Sequence, residues 1–146
     1  MNAINGYRIA RWFYQHHMQP IAKLVVMFIY LFHNSYIPYT AEIDKGTIFG
    51  YKGIGVVIHS RAIIGQNCQI GPGVTIGGRS KYYNVPVIGN NVYIAGGAKV
   101  LGPVKIGNNV IIGANAVMLC DAPENTIWAG VPARCIQENI DVHDYI

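Results

Sequence analysis

Histidine is the side chain best suited to carrying a proton near neutral pH. The chain has five, His16, His17, His33, His59 and His143. Only His59 lies in the middle of the sequence, in the stretch FGYKGIGVVIHSRAIIG from Phe49 to Gly65, where glycines and branched apolar residues surround it. In general base catalysis such a group takes a proton from an attacking hydroxyl. It would need an orienting carboxylate, and the acids just upstream are Glu42 and Asp44. Tyr51 and Lys52, in the same stretch, are the lesser candidates for that proton. The cysteines are Cys68, Cys120 and Cys135, an odd number without C-x-x-C spacing, and with the histidines they form no zinc-ligand pattern, so no metal is expected. Together with the lack of a cleavable signal pattern, this predicts a reduced, cytoplasmic chain.

The scaffold that positions these groups is a single domain by length, 146 residues with 51% hydrophobic content. The charged fraction of 12% is about half the usual share, and 17 glycines suit a backbone of repeated tight turns. So little surface charge suggests that part of the surface is covered by copies of the same chain. The net charge of +4 is scattered. No basic run of nucleic-acid type is present, whereas a diffuse positive field suits a polyphosphorylated small molecule.

Residues 1–36 read as a helical arm broken at Pro20. The run LVVMFIYLF, Leu24 to Phe32, is far short of the roughly 20 residues that cross a bilayer. Arg8, Arg11, Trp12 and Lys23 flank apolar surface, which leaves two readings open: an interfacial membrane contact, or an arm packed on the body or on a neighbouring subunit.

From Ile37 onward the sequence repeats. Ile64, Ile70, Ile76, Ile88, Ile94, Val100, Ile106, Ile112 and Met118 fall at intervals of six, with one interval of twelve, and most are followed by glycine or alanine. A period of six fits neither a helix nor a flat strand. It fits short strands joined by tight corners, stacked so that each coil adds one aliphatic side chain to a continuous column. Asn67, Asn90, Asn91, Asn108 and Asn109 stand where corners need residues tolerant of unusual backbone angles. The register fails twice. Fifteen residues separate Ile43 from Ile58, so the coil is irregular within FGYKGIG, just before His59. The insert GGRSKYYNVPVIG, Gly77 to Gly89, replaces aliphatic positions with polar and aromatic ones and reads as a loop thrown out of the coil.

The hexads IGQNCQ, IGPGVT, IGNNVY, IAGGAK, IGNNVI and IGANAV, followed by WAGVPARCI, resemble the hexapeptide-repeat acyltransferases. The order GVVIH, VTIGG, insert, AGGAKVLGPVKIG and AGVPAR is similar to serine O-acetyltransferases and to their short relatives in polysaccharide gene clusters. The resemblance implies a mainly β fold, a left-handed parallel β-helix over residues 37–136 with a loop at 78–87, preceded by the arm and followed by a tail at 137–146. It also implies a homotrimer with acetyl-CoA along the groove between adjacent β-helices. Gly78, Arg79 and Lys81 of the loop would cover the cofactor and acceptor and meet phosphates. The backbone at Gly96, Gly97, Gly113 and Ala114 would allow close approach, and Arg134 of AGVPAR would face the adenosine phosphates. The two histidines of serine acetyltransferases fall near Tyr51 or Lys52 and near Val85, and are absent here.

The expected activity is therefore O-acetyl transfer from acetyl-CoA to a hydroxyl in a ternary complex, with His59 as base. The missing histidines and the short arm favour a sugar of a surface polysaccharide as acceptor, at the inner face of the membrane. Free L-serine is the alternative acceptor, and a non-catalytic scaffold the alternative class. A γ-type carbonic anhydrase would share the fold but needs three histidines on zinc, and the repeat region has one.

Overall fold

A computed structural model describes residues 1–146. The six-residue period folds as two- or three-residue strands separated by corners, and three successive strands make one coil of a triangular prism. The first face stacks β1 (Glu42–Ile43), β4 (Ile63–Ile64), β7 (Val87–Ile88) and β10 (Lys105–Ile106). The second stacks β2 (Ile48–Phe49), β5 (Gln69–Ile70), β8 (Tyr93–Ile94), β11 (Ile111–Ile112), β13 (Thr126–Gly130) and β14 (Ala133–Glu138). The third stacks β3 (Val57–Ile58), β6 (Thr75–Gly77), β9 (Lys99–Leu101) and β12 (Val117–Met118). All these pairings are parallel except the closing hairpin of β13 and β14.

The residues at six-residue spacing form the column. Ile64, Ile70, Ile76, Ile88, Ile94, Val100, Ile106, Ile112 and Met118 are buried, as are Cys68, Val74, Val92, Ala98, Val104, Val110 and Ala116 at the intervening corners. Burying an aliphatic side chain of this size stabilises by about 1.5–3 kcal/mol, so the column is the main stabilising term. The paired asparagines divide the corner between them. Asn67, Asn91 and Asn109 take left-handed backbone (φ 55°, 55° and 57°), and the amides of Asn91, Asn109 and Asn125 are linked at 3.1 and 2.9 Å. Asn90 and Asn108 instead accept a backbone N–H from the coil below, each at 2.8 Å.

Both irregularities have a structural form. Phe49 pairs with Ile70 and Ile58 with Ile76, so nine positions run from Phe49 to Ile58 where the next coil uses six. The three extra residues are taken up within the four-residue 3₁₀ turn Gly50–Gly53. The insert is a loop between Gly77, which ends β6, and Val87, which begins β7.

The arm is two helices, α1 (Ala3–Gln15) and α2 (Gln19–His33). Their break falls at His16–Met18 rather than at Pro20. Pro20 sits in the first turn of α2, where the missing N–H has no helical partner to lose. Ala3, Ile4 and Tyr7 of α1 and Ile29 of α2 join the same core cluster as Ile37, Ala41 and Phe49, so the arm closes the open end of the solenoid. Tyr7 fixes it there: its hydroxyl donates to Ala41 O (2.7 Å) and accepts from Ile43 N (3.1 Å), and burial raises its pKa. Gly6 lets the helices meet, since a Cβ there would lie 2.8 Å from Ile29 Cγ1. At the other end Ile140 and Val142 pack on Ile111, Ile127 and Tyr93. No helix is long and apolar enough to cross a membrane.

Candidate active site

Apart from Glu42 and Asp44, the candidate residues sort onto two of the three edges of the prism. Along the edge between the second and third faces, the inward residues Phe49, Ile70, Ile94, Ile112 and Trp128 are aligned by register. Each is followed by a small residue, Gly50, Gly71, Ala95, Gly113 and Ala129, and the corners continue through Gly96, Gly97 and Ala114. The glycines are not equivalent. A Cβ on Gly71 would lie 2.6 Å from Gly96 N, and one on Gly113 3.3 Å from Trp128 O, so close stacking of coils explains both. Gly97 has φ 75°, and the Asn115 side chain occupies the space its Cβ would need. Gly96 is different. A Cβ there meets nothing nearer than 3.4 Å, so the fold alone does not require glycine at 96. Its bareness opens a cavity of about 310 Å³ lined by Gly50, Tyr51, Gly71, Pro72, Tyr93 and Gly96.

At the foot of this edge lies the 3₁₀ turn. Tyr51 and Lys52 have φ of 49° and 62°, a left-handed conformation uncommon for residues with a side chain. Ser35, 1% exposed, holds the turn in place: its hydroxyl donates to Gly53 O and accepts from Val56 N at 3.0 Å. His33 O accepts from Gly55 N (3.1 Å). Partial burial, then the positive N-terminus and Lys52, lower the pKa of the His33 ring. At the upper end Arg134 pairs across the hairpin with Ala129, and midway the Lys99 ammonium donates to Gly73 O (2.7 Å).

The edge between the third and first faces carries side chains instead. His59 directly follows β3, with Nδ1 accepting from Arg61 N at 3.1 Å. That bond places the proton of the neutral ring on Nε2. Nε2 lies beside Gly78, whose Cβ would be 3.9 Å away. The loop beginning at Gly78 therefore sits directly over the imidazole. Arg61 ties the loop down, donating to Tyr83 O at 2.7 Å with its guanidinium 3.8 Å from the Tyr83 ring centre. Arg79 lies over Tyr82 at 5.4 Å and against Gly102 of the coil above, and Lys81 is exposed with φ 72°. Val85 lines a cavity of about 260 Å³ with Arg61, Tyr83 and Lys105.

Neither acid is brought to His59. The pairing of Tyr36 with Val57 sets Pro38 beneath it. Glu42 pairs with Ile63 on the first face, and Asp44 lies at the next corner. Both border a cavity of about 480 Å³ with Arg8 and Arg11 of α1. The Lys45 N–H, then the Gln66 side chain, hold the Asp44 pKa below its ordinary value. Cys68 is buried with its thiol pKa raised by that burial, so it does not serve as a nucleophile. Ser35, Arg61 and Lys99 support the two edges without having been legible as site residues; for Arg61 alone the signal was its place two residues after His59.

The family model "Bacterial transferase hexapeptide (six repeats)" matches residues 86–119. A serine acetyltransferase of Synechococcus elongatus is 41% identical over 136 residues, 92% of this chain and 55% of its own length. One of Bacillus pumilus is 34% identical over 141 residues, 95% of this chain and 64% of its own. A crystal structure of serine acetyltransferase in complex with coenzyme A from Brucella abortus superposes with a TM-score of 0.87 at 32% identity, covering 93% of this chain and 55% of that one. The chain thus spans between about half and two thirds of the length of these relatives. The solenoid has the left-handed sense of serine acetyltransferase β-helices.

Proposed function

Since this is a hexapeptide-repeat chain of the serine acetyltransferase-like kind, we propose that it transfers an acetyl group from acetyl-CoA to an acceptor hydroxyl. The carrying observation is the bare edge at Gly96, where glycine leaves room that the fold itself does not use. A thin, extended thioester chain fits along such a backbone-lined edge. Arg134 at its upper end and Lys99 midway offer positive charge to phosphates.

His59 and the bare edge lie on opposite sides of the third face, so one chain does not bring them together. A homotrimer with the cofactor between neighbouring β-helices would, the loop edge of one copy facing the bare edge of the next. His59 then acts as base on the acceptor hydroxyl. Taking a proton at Nε2 requires the ring's own proton to sit on Nδ1, which sacrifices the Arg61 bond at a cost of about 0.5–1.5 kcal/mol. A positioned base contributes about a hundredfold to ten-thousandfold, or roughly 3–5 kcal/mol, so the base role outweighs that cost. Nothing in the chain orients the imidazole as a carboxylate would; the Arg61 backbone is its only partner.

L-serine is the acceptor that the relatives' names favour. The second reading, a sugar hydroxyl, is supported by the resemblance, which places the two histidines of serine acetyltransferases, absent here, near Tyr51 or Lys52 and near Val85. Acetyl-CoA turnover against L-serine and against a panel of sugars and oligosaccharides separates the two. Turnover with serine at least tenfold above every sugar is expected. Turnover with a sugar alone overturns serine, and no turnover or acetyl-CoA binding at all favours the scaffold.

A further inference from the structure

The α2 helix is apolar nearly all round, a pattern that belongs in a core or against a partner. Yet only Ala22 and Ile29 are buried. Leu24, Met27, Phe28, Leu31 and Phe32 are 45–76% exposed, and Ile9 of α1 extends the same surface. Between them runs a groove of about 550 Å³ walled by Ile9, Val25, Phe28, Ile29 and Phe32, with His33 and Lys52 at its rim. A contiguous patch of this kind marks a protein or membrane contact.

Charge decides between occupants. The first 41 residues contain no aspartate or glutamate, while Lys23 is exposed on α2 and Lys52 stands at the groove's rim. Two copies laid face to face would set like charge against like, which disfavours association. An anionic lipid surface complements both features, apolar side chains entering the acyl boundary and cations meeting headgroups. Tyr30 on α2, 56% exposed, is an amphipathic aromatic of the kind that such an interface accepts.

We infer that the arm docks the protein on anionic bilayer surfaces, lying in the interface without crossing it. This goes beyond the acetyl-transfer reading and does not depend on it. The test is co-sedimentation of the full chain with phosphatidylcholine vesicles and with vesicles enriched in phosphatidylglycerol, alongside light scattering for oligomeric state. Binding to the anionic vesicles that weakens with salt, and falls at least tenfold in the Leu31→Glu/Phe32→Glu double variant while circular dichroism and oligomeric state stay unchanged, is expected. The inference is overturned by no binding, by equal binding of wild type and variant, or by a change of oligomeric state in the variant, which would mark the face as a contact between copies.

Discussion

One edge of the prism is built almost without side chains and the other is crowded with them. At the bare edge each coil turns through Gly50, Gly71, Ala95, Gly113 or Ala129 and leaves a cavity beside Gly96. At the opposite edge His59 lies under a loop that Arg61 clamps through Tyr83. The same six-residue rule produces both, because the residue after each inward aliphatic faces outward at a corner. Small residues there leave backbone on which a ligand can lie; larger ones project chemistry. The difference teaches that a single β-helix keeps the candidate groups apart, so the proposed site needs them as halves supplied by neighbouring copies.

The comparison can be sharpened first at His59. His59→Ala should lower kcat by about a hundredfold to ten-thousandfold, with Lys52→Ala much milder. The reverse order, measured by steady-state kinetics, would move the base to the bare edge. His59→Gln adds resolution: it keeps a donor near Nε2 but no base, so it should be as inactive as the alanine variant.

The next largest effect separates a glycine that serves the fold from one that serves the edge. Gly71→Ala forces a Cβ against Gly96 N at 2.6 Å and should cost about 1–3 kcal/mol in thermal or denaturant unfolding, the range of core overpacking. Gly96→Leu should leave stability nearly unchanged and raise KM for acetyl-CoA at least tenfold. Equal stability loss in both would show that Gly96 is only a corner.

Ser35 tests the support of the foot. Ser35→Ala leaves the buried Val56 N–H and Gly53 carbonyl unpaired, so a loss of about 1–3 kcal/mol in unfolding free energy is expected. The smallest effect is at the loop. Arg61→Ala removes an exposed clamp whose cation–π part is worth about 0.5–1 kcal/mol, and should raise acceptor KM a few-fold with stability almost unchanged.

Much of this was legible in the sequence. The inward column could be read because period six aligns one aliphatic per corner, and the slip in FGYKGIG became three extra residues in a left-handed turn at Tyr51 and Lys52. The loop at Arg79–Asn84 was visible from polar residues replacing aliphatic ones. What escaped was register across coils. Glu42 and Asp44 are close to His59 in sequence, yet pairing of Tyr36 with Val57 puts Pro38 beneath it. Ser35 gave no signal, since its partners lie eighteen and twenty-one residues away. The break before α2 was misplaced because Pro20 reads as a stop, whereas in a first turn it is compatible with a start.

The central claim, that one copy's His59 edge meets the next copy's bare edge, is tested most directly by subunit complementation. Chains carrying His59→Ala and chains carrying Gly96→Leu, each inactive alone at low acetyl-CoA, are co-expressed with different tags and the mixed oligomers isolated. If the halves meet between copies of a ring trimer, every mixed trimer holds one interface with both halves intact, and activity should return to roughly one third of wild type. Mixed trimers that stay inactive would place both halves of the site within one chain and contradict the account.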